Sequence, residues 1–310
     1  MSPNLKNIPV NYRLPLTAAL ATLSYGFALF NVIPSVNAQA LIPHTIKLNF
    51  GNVEAQALAL ARDAAQLAQF QQYELALSRA LLAVQLLPQS YQTQAVLGSI
   101  YLRTEEYPKA IASFSNALNL KKDNASIFFS LGAAYLRNNN YQLAIDKIKQ
   151  GLVLAPKSPT AFFDLGNAYF LLKRYDEAIS EYNNVLKLEN KFWAATNNIG
   201  LVEYERGNVD TAIKKWEEAI RQGETIEDRA AEARLALGTA FYIKGDRSKG
   251  IEMAEEALKI DVRYGKLAFL KENLWGDKLL ADAKTILATP TLKMLVEQSN
   301  IPLTKTPARP

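Results

Sequence analysis

The sequence predicts an all-α protein, a solenoid of stacked helix-turn-helix repeats, and three observations carry that expectation. Gly98, Gly132, Gly166 and Gly200 stand 34 residues apart, and Gly238 follows after 38. Ala76, Ala110, Ala144, Ala178 and Ala212 keep the same step of 34. Tyr73, Tyr107, Tyr141 and Tyr175 recur in phase with them and mark the turn inside each unit. A period of this length is a signature of two helices and a turn repeated along the chain. Each unit buries its apolar face only against its neighbours, so the 310 residues read as one array rather than two domains.

The sharpest unit runs from Pro159 to Phe192. Gly166 and Ala178 are small because two antiparallel helices approach closely there. Phe162, Leu165, Tyr169 and Tyr182 fill the space around that contact. Tyr175, Asp176 and Glu177 open the second helix, with acids in the first turn where the helix dipole favours them. Pro88 and Pro156 stand where a helix must stop.

Taken in order, the chain starts with a segment that is not part of the repeat fold. Lys6 and Arg13 precede an apolar run, Leu14 to Ile33. Pro34 breaks it, and small residues follow through Ala38 and Ala40. This is the pattern of a secretory signal, residues 1–40, with cleavage after Ala38 or Ala40. The run is also long enough to span a bilayer, so an uncleaved anchor at residues 14–33 is the alternative. Both readings carry the rest of the chain across a membrane, into a periplasm or a thylakoid lumen, because Lys6 and Arg13 stay inside. Residues 41–56 form a connector, and His44 within it is the only histidine.

The array is expected over residues 57–264. Asn52 to Ser90 holds a degenerate first repeat, with Asp63 and Ala64 in place of Leu-Gly. Tyr91–Asn124, Ala125–Ser158 and Pro159–Phe192 are clean repeats, Trp193 to Gly223 is another, and Ala231–Tyr264 is the last. Four extra residues fall within 224–230 and lengthen a turn. After Tyr264 the pattern changes. Leu267, Leu270, Leu274, Trp275, Leu279 and Leu280 recur at helical spacing, with a turn at Gly276 and a break at Pro290. Residues 265–299 are therefore expected to be helices that cap the open end of the array, and residues 300–310 a loose tail rich in proline.

These motifs resemble the tetratricopeptide-repeat family, from about Ala57 to Tyr264. The resemblance implies a right-handed α-solenoid whose concave surface, lined by the first helix of each repeat, takes a segment of a partner protein as an extended peptide or a helix. It places Arg103, Phe129, Arg137, Phe163, Asn167, Phe170, Asn197, Tyr204 and Tyr242 in that groove, with Leu102, Leu136, Leu171, Glu205, Leu235 and Ile243 beside them. Some of the rings are expected to pack against the next repeat instead. Glu203 stands where the other repeats carry Tyr or Phe, and Tyr204 beside it can take that place by a small rotation. Family members that grip chaperone C-termini use a carboxylate clamp of cations and asparagines. Asn167 and Asn198 fall at its asparagine positions, but Phe163, Glu232 and Ala236 stand where its cations belong. A chaperone clamp is therefore excluded.

Other chemistry is absent. There is no cysteine, so no disulfide, thiolate nucleophile, cysteine-ligated zinc or lipobox anchor is available. No phosphate loop, His-Glu-x-x-His or Gly-x-Ser-x-Gly motif occurs. No enzyme activity, cofactor or metal is expected. The formal charge is +5, falls by two without residues 1–40, and is scattered among acids, so a nucleic-acid partner is not expected. The leader, the array and the segment Phe269–Asp277 together resemble exported or membrane-anchored repeat proteins of cyanobacteria and plastids. That resemblance implies a scaffold in the assembly of membrane complexes, photosynthetic ones included. The alternative is a cell-envelope module that binds a peptide or glycan in support of an enzyme.

Overall fold

A computed structural model of the protein describes residues 52–223 and 231–299. Among these residues every regular element is helical. Six antiparallel pairs follow one another: α1 (Val53–Gln69) with α2 (Tyr73–Leu86), α3 (Tyr91–Arg103) with α4 (Tyr107–Leu120), α5 (Ala125–Arg137) with α6 (Tyr141–Leu154), α7 (Pro159–Leu171) with α8 (Tyr175–Leu188), α9 (Trp193–Glu205) with α10 (Val209–Gly223), and α11 (Ala231–Lys244) with α12 (Arg247–Ile260). A 3-10 turn, Val262–Gly265, leads to α13 (Leu267–Glu272), α14 (Asp277–Leu287) and α15 (Pro290–Ser299).

Local chemistry sets the ends of these helices. Ser90, Asn124 and Ser158 lie just before α3, α5 and α7, and each side chain accepts a backbone N–H of the first turn. Such a cap satisfies one of the amides that a helix start leaves without a partner. Each turn within a pair contains one residue in the left-handed region: Gln71, Glu105, Asn139, Lys173, Gly207 and Gly245. A left-handed residue after the last helical turn lets the chain reverse and close its final carbonyls. The tyrosines at 73, 107, 141 and 175 then start the second helices.

Gly98, Gly132, Gly166 and Gly200 share a single steric cause. A Cβ on Gly166 would stand 2.6 Å from the Tyr182 ring, and one on Gly200 would stand 2.5 Å from Trp216 Nε1. Gly98 meets Phe114 and Gly132 meets Ile148 in the same way. Each glycine faces a second-helix side chain 16 residues later, and Phe114, Ile148, Tyr182 and Trp216 themselves recur at 34. In the first pair, buried Ala64 and Ala80 occupy these two positions, so no large side chain there requires a glycine.

The first helices of successive pairs touch one another, α1 with α3, α3 with α5 and α5 with α7. They form the inner surface. From Ala144 to Leu292 the buried side chains make one continuous core, whereas the pairs before it hold three smaller clusters rich in alanine.

Two expectations change and one is refined. The first helix begins at Val53, inside the expected connector at 41–56. The break expected at Pro290 separates α14 from α15, and Pro290 itself starts α15, because the first helical position needs no N–H. The segment after Tyr264 is not simply an end cap. α15 packs on α12 and α14 on α11, both in the last pair, but α14 also reaches α9 of the preceding pair, across the inner surface. The leader with its run at 14–33, most of the connector including His44, the extra residues within 224–230 and the tail at 300–310 lie outside the described residues.

Candidate functional site

The inner surface holds a cavity of about 760 Å³. Its walls come from α5, α7, α9 and α11, and the far side is closed by residues 271–277 between α13 and α14. These residues form a strap that the chain lays over its own inner surface.

Sequence-distant contacts hold the strap. The Glu205 carboxylate, at the end of α9, accepts the backbone N–H of Lys278 at 3.1 Å and of Leu279 at 2.9 Å. It thereby caps α14 from another repeat. Gly276 lies directly against that carboxylate, where a Cβ would overlap it. Trp275 is buried and its indole N–H donates to Glu232 Oε1 at 3.2 Å. Tyr204 Oη donates to Asp282 Oδ2 at 2.7 Å, and the Lys278 ammonium sits over the Tyr204 ring at 3.7 Å from its centre. At the rim Lys173 pairs with Asp277 at 2.8 Å. That pair is solvent-exposed and contributes little stability.

The floor is polar and fixed by a chain of hydrogen bonds. Tyr182 Oη donates to Asn167 Oδ1 at 2.8 Å, and Asn198 Nδ2 donates to the same oxygen at 3.0 Å. Asn197 Nδ2 donates to Asn198 Oδ1 at 3.3 Å. The amide orientations are thereby set, and Asn197 Oδ1 is left buried with no donor among the described residues. Two carboxylates border this floor. Burial pushes Glu232 up to about 7, against the Trp275 and Asn197 N–H groups that favour its charged form. Burial likewise pushes Asp164 up to about 6, with the Arg137 charge acting in the opposite direction. Carboxyls out of water hold their protons more tightly. The side walls are aromatic: Phe163 lies 5.7 Å from Tyr182 and 5.4 Å from Phe192, ring centre to ring centre.

Of the nine groove residues expected from sequence, Arg137, Phe163, Asn167, Phe170 and Asn197 line this cavity. Phe170 is only 6% exposed and packs on Tyr175, so it serves as wall more than as open surface. The other four lie elsewhere. Arg103 is exposed further along α3. Phe129 lies over Gly151 of α6, since a Cβ there would stand 2.5 Å from its ring. Tyr242 backs onto Gly250 of α12 and stacks with Arg247. Tyr204 is 0% exposed, packed on Trp216 and covered by α14. Glu203 accepts a hydrogen bond from Asn208, so the buried aromatic place belongs to Tyr204. Asp164, Asn198, Glu232 and the strap complete the site and were not singled out as binding residues, whereas Glu205, placed beside the groove residues from sequence, also lines it. Asp164 and Glu232 sit among apolar residues at helical spacing, a local signal that points to a carboxylate turned inward.

Comparison with known proteins follows from this architecture. The family profile described as "TPR repeat" matches residues 98–139, and the "Tetratricopeptide repeat" profile matches residues 129–191 and 197–261. The chain belongs to the tetratricopeptide-repeat family. Its repeats and those of solved structures share the fold. The pilF structure of Pseudomonas aeruginosa aligns at TM-score 0.58 and 17% identity, over 71% of this chain and 98% of that one. A MamA crystal structure aligns at TM-score 0.50 and 22% identity, over 56% and 93%. The C-terminal part of a TPR repeat-containing protein from Cytophaga hutchinsonii aligns at TM-score 0.51 and 18% identity, over 68% and 88%. No curated protein matches this chain in sequence. Among the described residues no cluster of three or more His, Cys, Asp or Glu side chains could hold a metal ion, and no helix is long and apolar enough to cross a membrane.

Proposed function

We propose that this tetratricopeptide-repeat protein is a non-enzymatic scaffold that holds a segment of a partner protein in the part of its inner groove left open by the strap. The observation that carries this reading is the cavity itself: a preformed concave site with fixed amides on its floor and aromatic side walls, bounded by α5 and α7 on the open side. Sites of this kind bind ligands without first paying to order their walls. The site holds no nucleophile–base pair at hydrogen-bond distance and no metal cluster among the described residues.

The setting belongs to the same proposal. The basic and apolar leader supports a position beyond a membrane, either free after cleavage or held by residues 14–33. The likeness of residues 269–277 to exported cyanobacterial and plastid repeat proteins supports a role in membrane-complex assembly. A photo-crosslinking residue placed at Leu136, at Phe163 and at outer-face Lys187 tests the groove in cells. Capture of the same partner from 136 and 163, and not from 187, is the expected result. Capture from 187 alone would move the binding site to the convex face. Fractionation of the same cells tests the location: recovery of the protein with the cytoplasm would end the export reading.

A further inference from the structure

We propose that the groove cavity is a pocket for a cationic side chain, arginine above all, presented by the bound partner segment. This rests on the reading of the groove as the binding site and specifies what enters it. Six carboxylates line the cavity, those of Glu105, Asp164, Glu205, Glu232, Glu272 and Asp277, against the three cations of Arg137, Lys173 and Lys271. The chain as a whole carries an excess of positive charge, so the acidic lining is a local property of this site. Some of its groups are already engaged: Glu205 caps α14, and Lys173 pairs with Asp277. Asp164 and Glu232 are the carboxylates at the floor, and Asp164 has no hydrogen bond among the described residues.

A second observation points to the same ligand. Asn197 is 1% exposed and lines the cavity, and its amide nitrogen donates to Asn198 and favours the charged form of Glu232. Its Oδ1 therefore offers an acceptor with no donor among the described residues. A buried acceptor without a partner is costly, and a donor brought by a ligand would satisfy it. The floor thus presents acceptors from three elements: Asp164 on α7, Asn197 on α9 and Glu232 on α11. A guanidinium is the side-chain group with several donors in one plane and a fixed charge. An acidic or phosphorylated side chain would meet an excess of like charge in this lining. The high proton affinity of both floor carboxyls supports this: desolvation outweighs the groups that favour the charged form of each.

The test is selection of randomised nonapeptides on the full-length protein, followed by titration of one selected peptide and of its copy with citrulline in place of arginine. Citrulline keeps the shape and loses the charge. Selected peptides should carry Arg or Lys at one shared position, and the citrulline copy should bind at least about tenfold more weakly, the loss of a charge-assisted bond. Glu232→Gln and Asp164→Asn should each shrink that ratio, whereas Phe163→Ala should weaken both peptides and leave the ratio unchanged. Selection without a shared cation, or equal binding of the citrulline copy, overturns the cation pocket and leaves the groove reading standing. No selection above a control protein, or selection indifferent to Phe163→Ala, removes the groove reading and the pocket with it.

Discussion

The inner surface divides into two halves that use equivalent repeat positions differently. On α5 and α7 the groove positions face open space: Arg137 is exposed, and Phe163 stands at the cavity wall. On α9 and α11 they face the chain itself. Tyr204 meets Asp282, Glu205 caps α14, and Glu232 meets Trp275. What a repeat position does is therefore set by what lies across the groove, not by its place in the period. The strap is anchored by one large buried side chain, one carboxylate cap and one exposed ion pair. These three contacts should differ in strength, and the difference can be measured.

The largest effect is expected at Trp275. Trp275→Ala empties a buried site next to Leu270 and Leu279, and such truncations cost about 3–5 kcal/mol. Denaturant unfolding should show that loss. A loss under about 1 kcal/mol would mean that the strap does not dock as described.

Next comes a pH effect at Glu232. Its folded value of about 7 lies above the ordinary 4.5. Between these pH values the folded chain keeps a proton that the unfolded chain has released. Stability should therefore fall as pH rises from 4.5 to 7, by about 3 kcal/mol as an upper figure. Asp164 acts in the same direction from 3.8 to about 6. Unfolding titrations should find a flatter slope in Glu232→Gln, whose amide oxygen still accepts from Trp275. An unchanged slope would place the carboxyl in water.

The glycine contacts lie beneath both halves and should not distinguish them. Gly132→Leu and Gly200→Leu should each cost about 1–3 kcal/mol or more through overpacking against Ile148 and Trp216. Thermal unfolding that shows a loss in one half only would contradict a common repeat packing. Smaller still is Glu205→Ala, which removes the cap of α14 at about 1 kcal/mol. It should loosen hydrogen exchange at the start of α14 before it lowers global stability.

The repeats were legible in sequence because their constraint is local and periodic. Gly166 must be small since Tyr182 lies over it, and both recur at 34. Of the nine groove residues that the family resemblance implied, five line the cavity. The strap was not legible. Leu270, Trp275 and Leu279 announce helices, but no period says which surface those helices meet. Glu205 is joined to Leu279 across 74 residues, and Lys173 to Asp277 across 104. Tyr204 accordingly reads as a groove residue in sequence and is covered in the structure.

The most direct test uses the absence of native cysteine. Single variants Arg137→Cys and Tyr204→Cys place one thiol in each half, and maleimide labelling under native conditions compares them. The thiol at 137 should react at the rate of an exposed group. The thiol at 204 should react only through local opening, and faster once Trp275→Ala is added. Equal labelling of the two thiols in the otherwise native chain would contradict a strap that covers one half of the groove and leaves the other open.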